Sequence, residues 1–91
     1  MNINQLKYFI AVAEYQSFTK AANQYYISQT AITQQIQALE EAMDVRLIDR
    51  SRRPIALTPA GNVFFQEAKA ILERMNTAVG KVRDASTGLV G

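Results

Sequence analysis

Ser28-Gln29-Thr30-Ala31-Ile32-Thr33-Gln34-Gln35-Ile36-Gln37-Ala38-Leu39-Glu40 decides the fold of this chain. Ile32, Ile36 and Leu39 recur at helical spacing and define one apolar side. Gln29, Thr30, Thr33, Gln34 and Gln37 fall on the opposite side, which offers hydrogen-bonding groups and no charge before Glu40. Ser28 stands where a helix N-cap is expected, and the helix is read over residues 28–43. A helix with one side anchored and the other uncharged but polar is suited either to solvation or to reading another molecule.

The segment before it supplies a second helix. Ser17 is placed as its N-cap, and Phe18, Ala21, Ala22 and Tyr25 share its inner face. The small Ala21-Ala22 pair predicts a close approach to another helix. Ile27 and Ser28 form a short break, so two helices meet across a tight turn, a helix-turn-helix arrangement, here with no glycine in the turn. Further back, Leu6, Phe9, Ile10 and Ala13 predict a first helix from about Asn4 to Tyr15.

After Met43-Asp44 the period changes. Val45 and Leu47, then Ile55 and Leu57, alternate with polar or small residues and predict two short strands. Between them lies a basic tip, Asp49-Arg50-Ser51-Arg52-Arg53-Pro54, where Pro54 suits a turn or edge strand. Thr58-Pro59 starts another helix, with threonine as cap and proline at the first helical position. That helix is read to about Ala85. Phe64, Ala68, Ile71, Met75, Ala78 and Val82 follow a coiled-coil seam, widened by Phe65, Leu72 and Val79. Residues 86–91 read as linker. No repeat or low-complexity tract is present. The fold class is therefore mainly α: a winged helix-turn-helix with a two-stranded wing and a long C-terminal helix. Residues 1–58 form the winged unit, 59–87 the long helix and 88–91 the start of a hinge.

Composition narrows function. Ninety-one residues make one small domain, and 48% hydrophobic residues supply a core. Net charge is only +2, so the placement of charge says more than its sum. No acidic residue lies between Tyr15 and Leu39, which leaves the polar helix face free of repulsion toward phosphate. With no Cys and no His, thiol nucleophiles, disulfides and the usual zinc sites are excluded, and no cofactor is expected. Glu40, Glu41 and Asp44 lack a phosphate loop or nucleophile beside them, so an enzyme is not expected. No apolar run approaches the roughly 20 residues of a membrane span. Met1-Asn2-Ile3-Asn4 has no signal-peptide character, so a cytoplasmic protein is expected.

These features point to double-stranded DNA as the partner. Glutamine can pair with adenine N6 and N7, and a threonine methyl can pack on that of thymine, so Gln29, Thr30, Thr33, Gln34 and Gln37 are assigned to the groove. Ser17, Thr19, Lys20, Ser28, Arg46, Arg52, Arg53 and Pro54 are assigned to the backbone or to the wing's contact with the minor groove. Arg50 is expected to pair with Glu40 and tie wing to helix. The stripe of the long helix reads as intramolecular core or as a dimer seam. Its length beyond the small body favours a homodimer through Phe64, Ala68, Ile71, Leu72, Met75, Val79 and Val82, which would present two heads to two half-sites. A winged-helix module that docks on protein is the competing function. A pure coiled-coil assembly domain leaves the polar face and arginines unexplained.

Leu6…Phe9…Val12-Ala13-Glu14…Ser17-Phe18-Thr19…Ala21-Ala22, then Ser28-Gln29…Ala31-Ile32-Thr33…Gln35-Ile36…Leu39-Glu40, Leu47…Arg50 and Leu57-Thr58…Ala60-Gly61 together resemble the N-terminal DNA-binding domain of LysR-type transcriptional regulators. The resemblance covers nearly the whole chain. It implies a winged helix-turn-helix, a linker helix that dimerises antiparallel to its mate, and binding to interrupted inverted repeats near promoters. It also implies a following domain that senses a small-molecule inducer, and tetramers only with that domain present. The chain stops at Gly91, about where that domain would begin, so an isolated DNA-binding domain without sensing is expected. Thr30 stands where the family often has Pro, Gln34 and Gln37 where Arg is frequent, Asp44 for a usual Gly and Ile48 for a usual Phe. A recognition helix without a cation leaves phosphate attraction to Arg46, Arg52, Arg53 and Lys20.

Overall fold

The computed structural model describes residues 1–88, so Leu89, Val90 and Gly91 of the expected hinge lie outside the described residues. Helix α1 spans Ile3–Tyr15, starting slightly before the expected Asn4 because Asn2 and Gln5 form a capping box. Asn2 Oδ1 accepts from the Gln5 amide at 2.9 Å, and Gln5 Oε1 accepts from the Asn2 amide at 3.1 Å. Gln16 closes the helix in the left-handed conformation.

Helix α2 covers Phe18–Gln24, capped by Ser17, whose Oγ accepts from the Lys20 amide at 3.1 Å. Tyr25, expected on its face, is instead its C-cap, and Tyr26 turns the chain with φ +55. The glycine missing from this turn is thus replaced by a left-handed tyrosine that is 96% exposed. The Ile27 amide then donates back to the Ala22 carbonyl at 3.1 Å. Helix α3, Gln29–Met43, is capped by Ser28 and ends at Asp44, which adopts φ 54, ψ 41. A short polar side chain tolerates that region better than most non-glycine residues.

The strands are shorter than expected and shifted. β1 is Ile48–Asp49 and β2 is Ala56–Leu57, antiparallel, with Ile48 opposite Leu57 and Asp49 opposite Ala56. Val45 lies outside the ladder and is exposed, whereas Leu47 and Ile48 are both buried, so the alternation read from the sequence is not realised. Glu40 Oε2 accepts the Leu47 and Ile48 amides, while the Leu47 carbonyl accepts from the Thr58 amide at 3.0 Å.

Helix α4 runs Pro59–Thr87, with Thr58 Oγ1 accepting from the Gly61 amide at 2.9 Å. Ser86 and Thr87 belong to it rather than to a linker. Their hydroxyls donate to the Arg83 and Asp84 carbonyls, and the left-handed turn comes only at Gly88.

The core is Phe9, Val12, Ile32, Ile36, Leu39 and Leu47, all fully buried, with Ala21 and Ala22 letting α2 sit close. Phe64 packs its ring 5.4 Å from that of Phe9, and Ala68 is wholly buried. Ala68, expected in the dimer seam, is instead buried within one chain, and Phe64 is half-buried, because the first turns of α4 lie on α1. Beyond them the helix leaves the body. At 1.5 Å per residue α4 is roughly 43 Å long, against a molecule of 53 × 27 × 21 Å.

Candidate nucleic-acid interface

With Ile32, Ile36 and Leu39 fully buried, the rotation of α3 about its axis is fixed. Gln29, Thr30, Gln34 and Gln37 are exposed, Thr33 is half-buried, and the five line one shallow concavity. Gln29 is braced from α2: Thr19 Oγ1 donates to Gln29 Oε1 at 3.0 Å. That bond uses the amide oxygen and leaves the Nε2 donors for an outside acceptor. Ser17 and Ser28 accept amides as caps, which leaves each hydroxyl hydrogen available, and Lys20 is exposed next to Thr19. The N-terminal turns of α2 and α3 therefore carry these polar groups within one continuous area linked by the Thr19–Gln29 bond.

Glu40 joins this face to the wing. It is 5% exposed, and its Oε2 accepts from the amides of Leu47 at 2.8 Å and Ile48 at 3.3 Å. Its Oε1 meets Arg50 Nη2 at 3.3 Å. The Arg50 guanidinium also lies 5.1 Å from the centroid of the Phe18 ring, while its buried Nη1 has no hydrogen-bond partner. One arginine thus touches the start of α2, the end of α3 and the wing. The Glu40–Arg50 pair is readable from sequence, but the two amides and the Phe18 stack are not, since no spacing rule connects them. Gln16 adds a further tie, with Nε2 donating to the Ile55 carbonyl at 3.3 Å.

The wing tip is ordered by its own side chains. Asp49 Oδ1 accepts from the Ser51 amide at 3.0 Å and the Ser51 hydroxyl at 2.5 Å. Those bonds, the hydroxyl first, hold the Asp49 carboxyl below the ordinary carboxylate range. Asp49 Oδ2 lies 3.5 Å from Arg52 Nε. Arg53 Nη1 donates to the carbonyls of Arg50 at 2.6 Å and Arg52 at 3.0 Å. Arg52 and Arg53, expected to contact phosphate or the minor groove, are both engaged locally while remaining exposed. Arg46 and Pro54 are exposed, and the Arg46 carbonyl accepts from Thr58 Oγ1 at 2.6 Å.

Along α4, Ile71, Met75, Val79 and Val82 are 41–69% exposed and extend the stripe past the body, with Leu72 half-buried at its root. Among the described residues no helix is long and apolar enough to cross a membrane.

Comparison with known proteins matches this architecture. The chain is 44% identical over 91 residues to the HTH-type transcriptional regulator TfdS of Cupriavidus pinatubonensis, covering all of this chain and 31% of the relative. It is 46% identical over 91 residues to TcbR, an HTH-type transcriptional regulator from a Pseudomonas species, with the same coverage of each. The chain thus spans about a third of the length of these relatives, which are transcriptional regulators and not enzymes. The crystal structure of a BenM_DBD/catB site 1 DNA complex superposes with a TM-score of 0.93 at 40% identity, over 97% of this chain and 95% of that one. The model of the bacterial regulatory helix-turn-helix proteins of the lysR family matches residues 3–62, which hold the three helices, the wing and the first turn of α4, and the chain belongs to that family.

Proposed function

We propose that this chain is the DNA-binding domain of a transcriptional regulator that reads duplex DNA as a homodimer. The observation that carries the reading is the outward set Gln29, Thr30, Thr33, Gln34 and Gln37 on a helix whose other side is locked in the core. A major groove admits such a helix, and amide and hydroxyl groups can discriminate base edges there. Lys20, Arg46, Arg52 and Arg53 lie on the flanks as phosphate or minor-groove contacts, which position the domain without reading sequence. The relative whose structure superposes here was solved on DNA, and its fold carries over to nearly the whole of this chain.

The exposed stripe Ile71, Met75, Val79 and Val82 is the dimer surface, with Leu72 at its edge. Two copies related by a two-fold axis present two α3 helices to two half-sites in inverted orientation. The relatives are about three times longer, and inducer sensing and any tetramer belong to the rest of such a protein. Its place of action is the cytoplasm.

Selection of bound duplexes from a random pool, followed by sequencing, tests this directly. Two similar half-sites in inverted orientation are expected. Affinity should also fall steeply with salt, by about 10³–10⁵ between roughly 50 and 200 mM if some six to ten phosphates are contacted. A pool that returns no enriched motif and a binding signal indifferent to salt would instead fit a module that docks on protein.

A further inference from the structure

Asp49 closes the wing tip on itself. Its two oxygens divide the work: Oδ1 takes the Ser51 amide and hydroxyl, and Oδ2 takes Arg52 Nε at 3.5 Å. Arg53 is bound to backbone carbonyls and Arg50 to Glu40, whereas Arg52 is paired with Asp49 beside it. Arg52 is 72% exposed, so its pairing leaves it accessible to a second anion from outside. A carboxylate and a phosphate offer a guanidinium the same kind of charged oxygen edge. Asp49 meets the Nε edge alone, so a phosphate that takes that edge has to displace it, whereas the Nη groups stay open. Ser51 stabilises the charged form of Asp49 and holds its carboxyl below the ordinary carboxylate range.

We propose that Asp49 is an internal stand-in for a DNA phosphate, a positioning residue that holds Arg52 in the free protein and competes with the duplex for it. This rests on the DNA-binding reading above. The pairing has two consequences. Arg52 is pre-oriented at the tip instead of sweeping through solvent, and its phosphate contact is weakened by the pair that must be given up. Because phosphate contacts carry no sequence information, Asp49 lowers affinity for every duplex alike and leaves discrimination to α3.

The test is a double-mutant cycle on duplex affinity with wild type, Asp49→Asn, Arg52→Ala and the double variant. Asparagine keeps an Oδ1 that accepts the Ser51 amide, so the turn is retained while the charge is lost. A thermal melt of each variant checks that the fold is intact. Asp49→Asn is expected to tighten binding to specific and random duplexes by the same factor, about two- to fivefold, the range of an exposed ion pair. In the Arg52→Ala background that gain should vanish. A gain of equal size in both backgrounds would mean that Asp49 only repels DNA as a general charge, and the stand-in role would be lost. No gain in either background, with wild type still binding in a salt-sensitive way, overturns the role while the DNA reading stands. If wild type shows no salt-sensitive binding at all, both fall together.

Discussion

Glu40 sits where the end of α3, the start of the wing and the Phe18 edge of α2 converge, and each of its oxygens is used. Removing the side chain strands two buried backbone amides, each costing about 1–3 kcal/mol when left without a partner. Glu40→Ala should therefore lower stability by about 3 kcal/mol in urea melts, whereas Glu40→Gln keeps an acceptor for Leu47 and should lose distinctly less. Equal losses for the two variants would show that the pairing with Arg50, not the amides, dominates. Gln29 works at the same scale with a different outcome. Its side chain is exposed and braced by Thr19, so Gln29→Ala should leave the melting curve nearly unchanged. Base preference should relax at one or two positions, by about 1–3 kcal/mol each, read as affinities for single-base variants of the selected site. These assignments differ in how far the sequence discloses them. The outward positions of α3 follow from its period. The engagement of Arg52 and Arg53 depends on the three-dimensional path of the tip, for which the string of residues holds no period.

The helices were legible because caps and apolar spacing agree for each: Ser17 before α2, Ser28 before α3 and Thr58-Pro59 before α4. The strands were not, because two-residue ladders have too little length for alternation to be decisive. The turn between α2 and α3 was placed late for a related reason: without glycine, nothing local marks Tyr26 as the left-handed residue. That conformation costs a side-chain-bearing residue about 1–2 kcal/mol, and glycine removes the clash at an entropic cost of its own. Since the Tyr26 side chain is almost fully exposed, Tyr26→Gly should raise stability by about 0.5 kcal/mol in a denaturant titration. A loss of stability would reveal packing by that ring. Gly61 is the opposite case. A Cβ there would fall on the Leu47 carbonyl oxygen, well inside van der Waals contact, and neither backbone has a flexible end to yield. Gly61→Ala should force α4 away from the wing and cost about 1–3 kcal/mol, the usual range for overpacking. An alanine variant that melts like wild type would mean that the close docking of α4 on the Leu47 backbone contributes little.

At the scale of the molecule, α4 changes role along its length. Phe64 and Ala68 hold the winged unit, and from Ile71 onward the same apolar face runs out of body to cover it. The sequence stripe could not divide these parts, since both obey one seam and only the size of the folded body sets where it ends. The division would make the proposed dimer separable from the fold. Met75 and Val79 are 42% and 47% exposed in the single chain, so a charge there disturbs little within it. In a paired helix the same charge would be buried without a partner, which costs several kcal/mol per ion. Met75→Asp with Val79→Asp should therefore leave the helical signal of the winged unit intact while converting a dimer, of twice the 10.2 kDa chain mass, into monomer in sedimentation equilibrium. Affinity for a single half-site should change little, and affinity for the two-half-site duplex should fall toward it, because the second head no longer binds as part of the same particle. A variant that stays dimeric places the pairing surface elsewhere on the chain. One that becomes monomeric yet keeps full affinity for the paired site would show that each head binds on its own, and that the symmetry lies in the DNA alone.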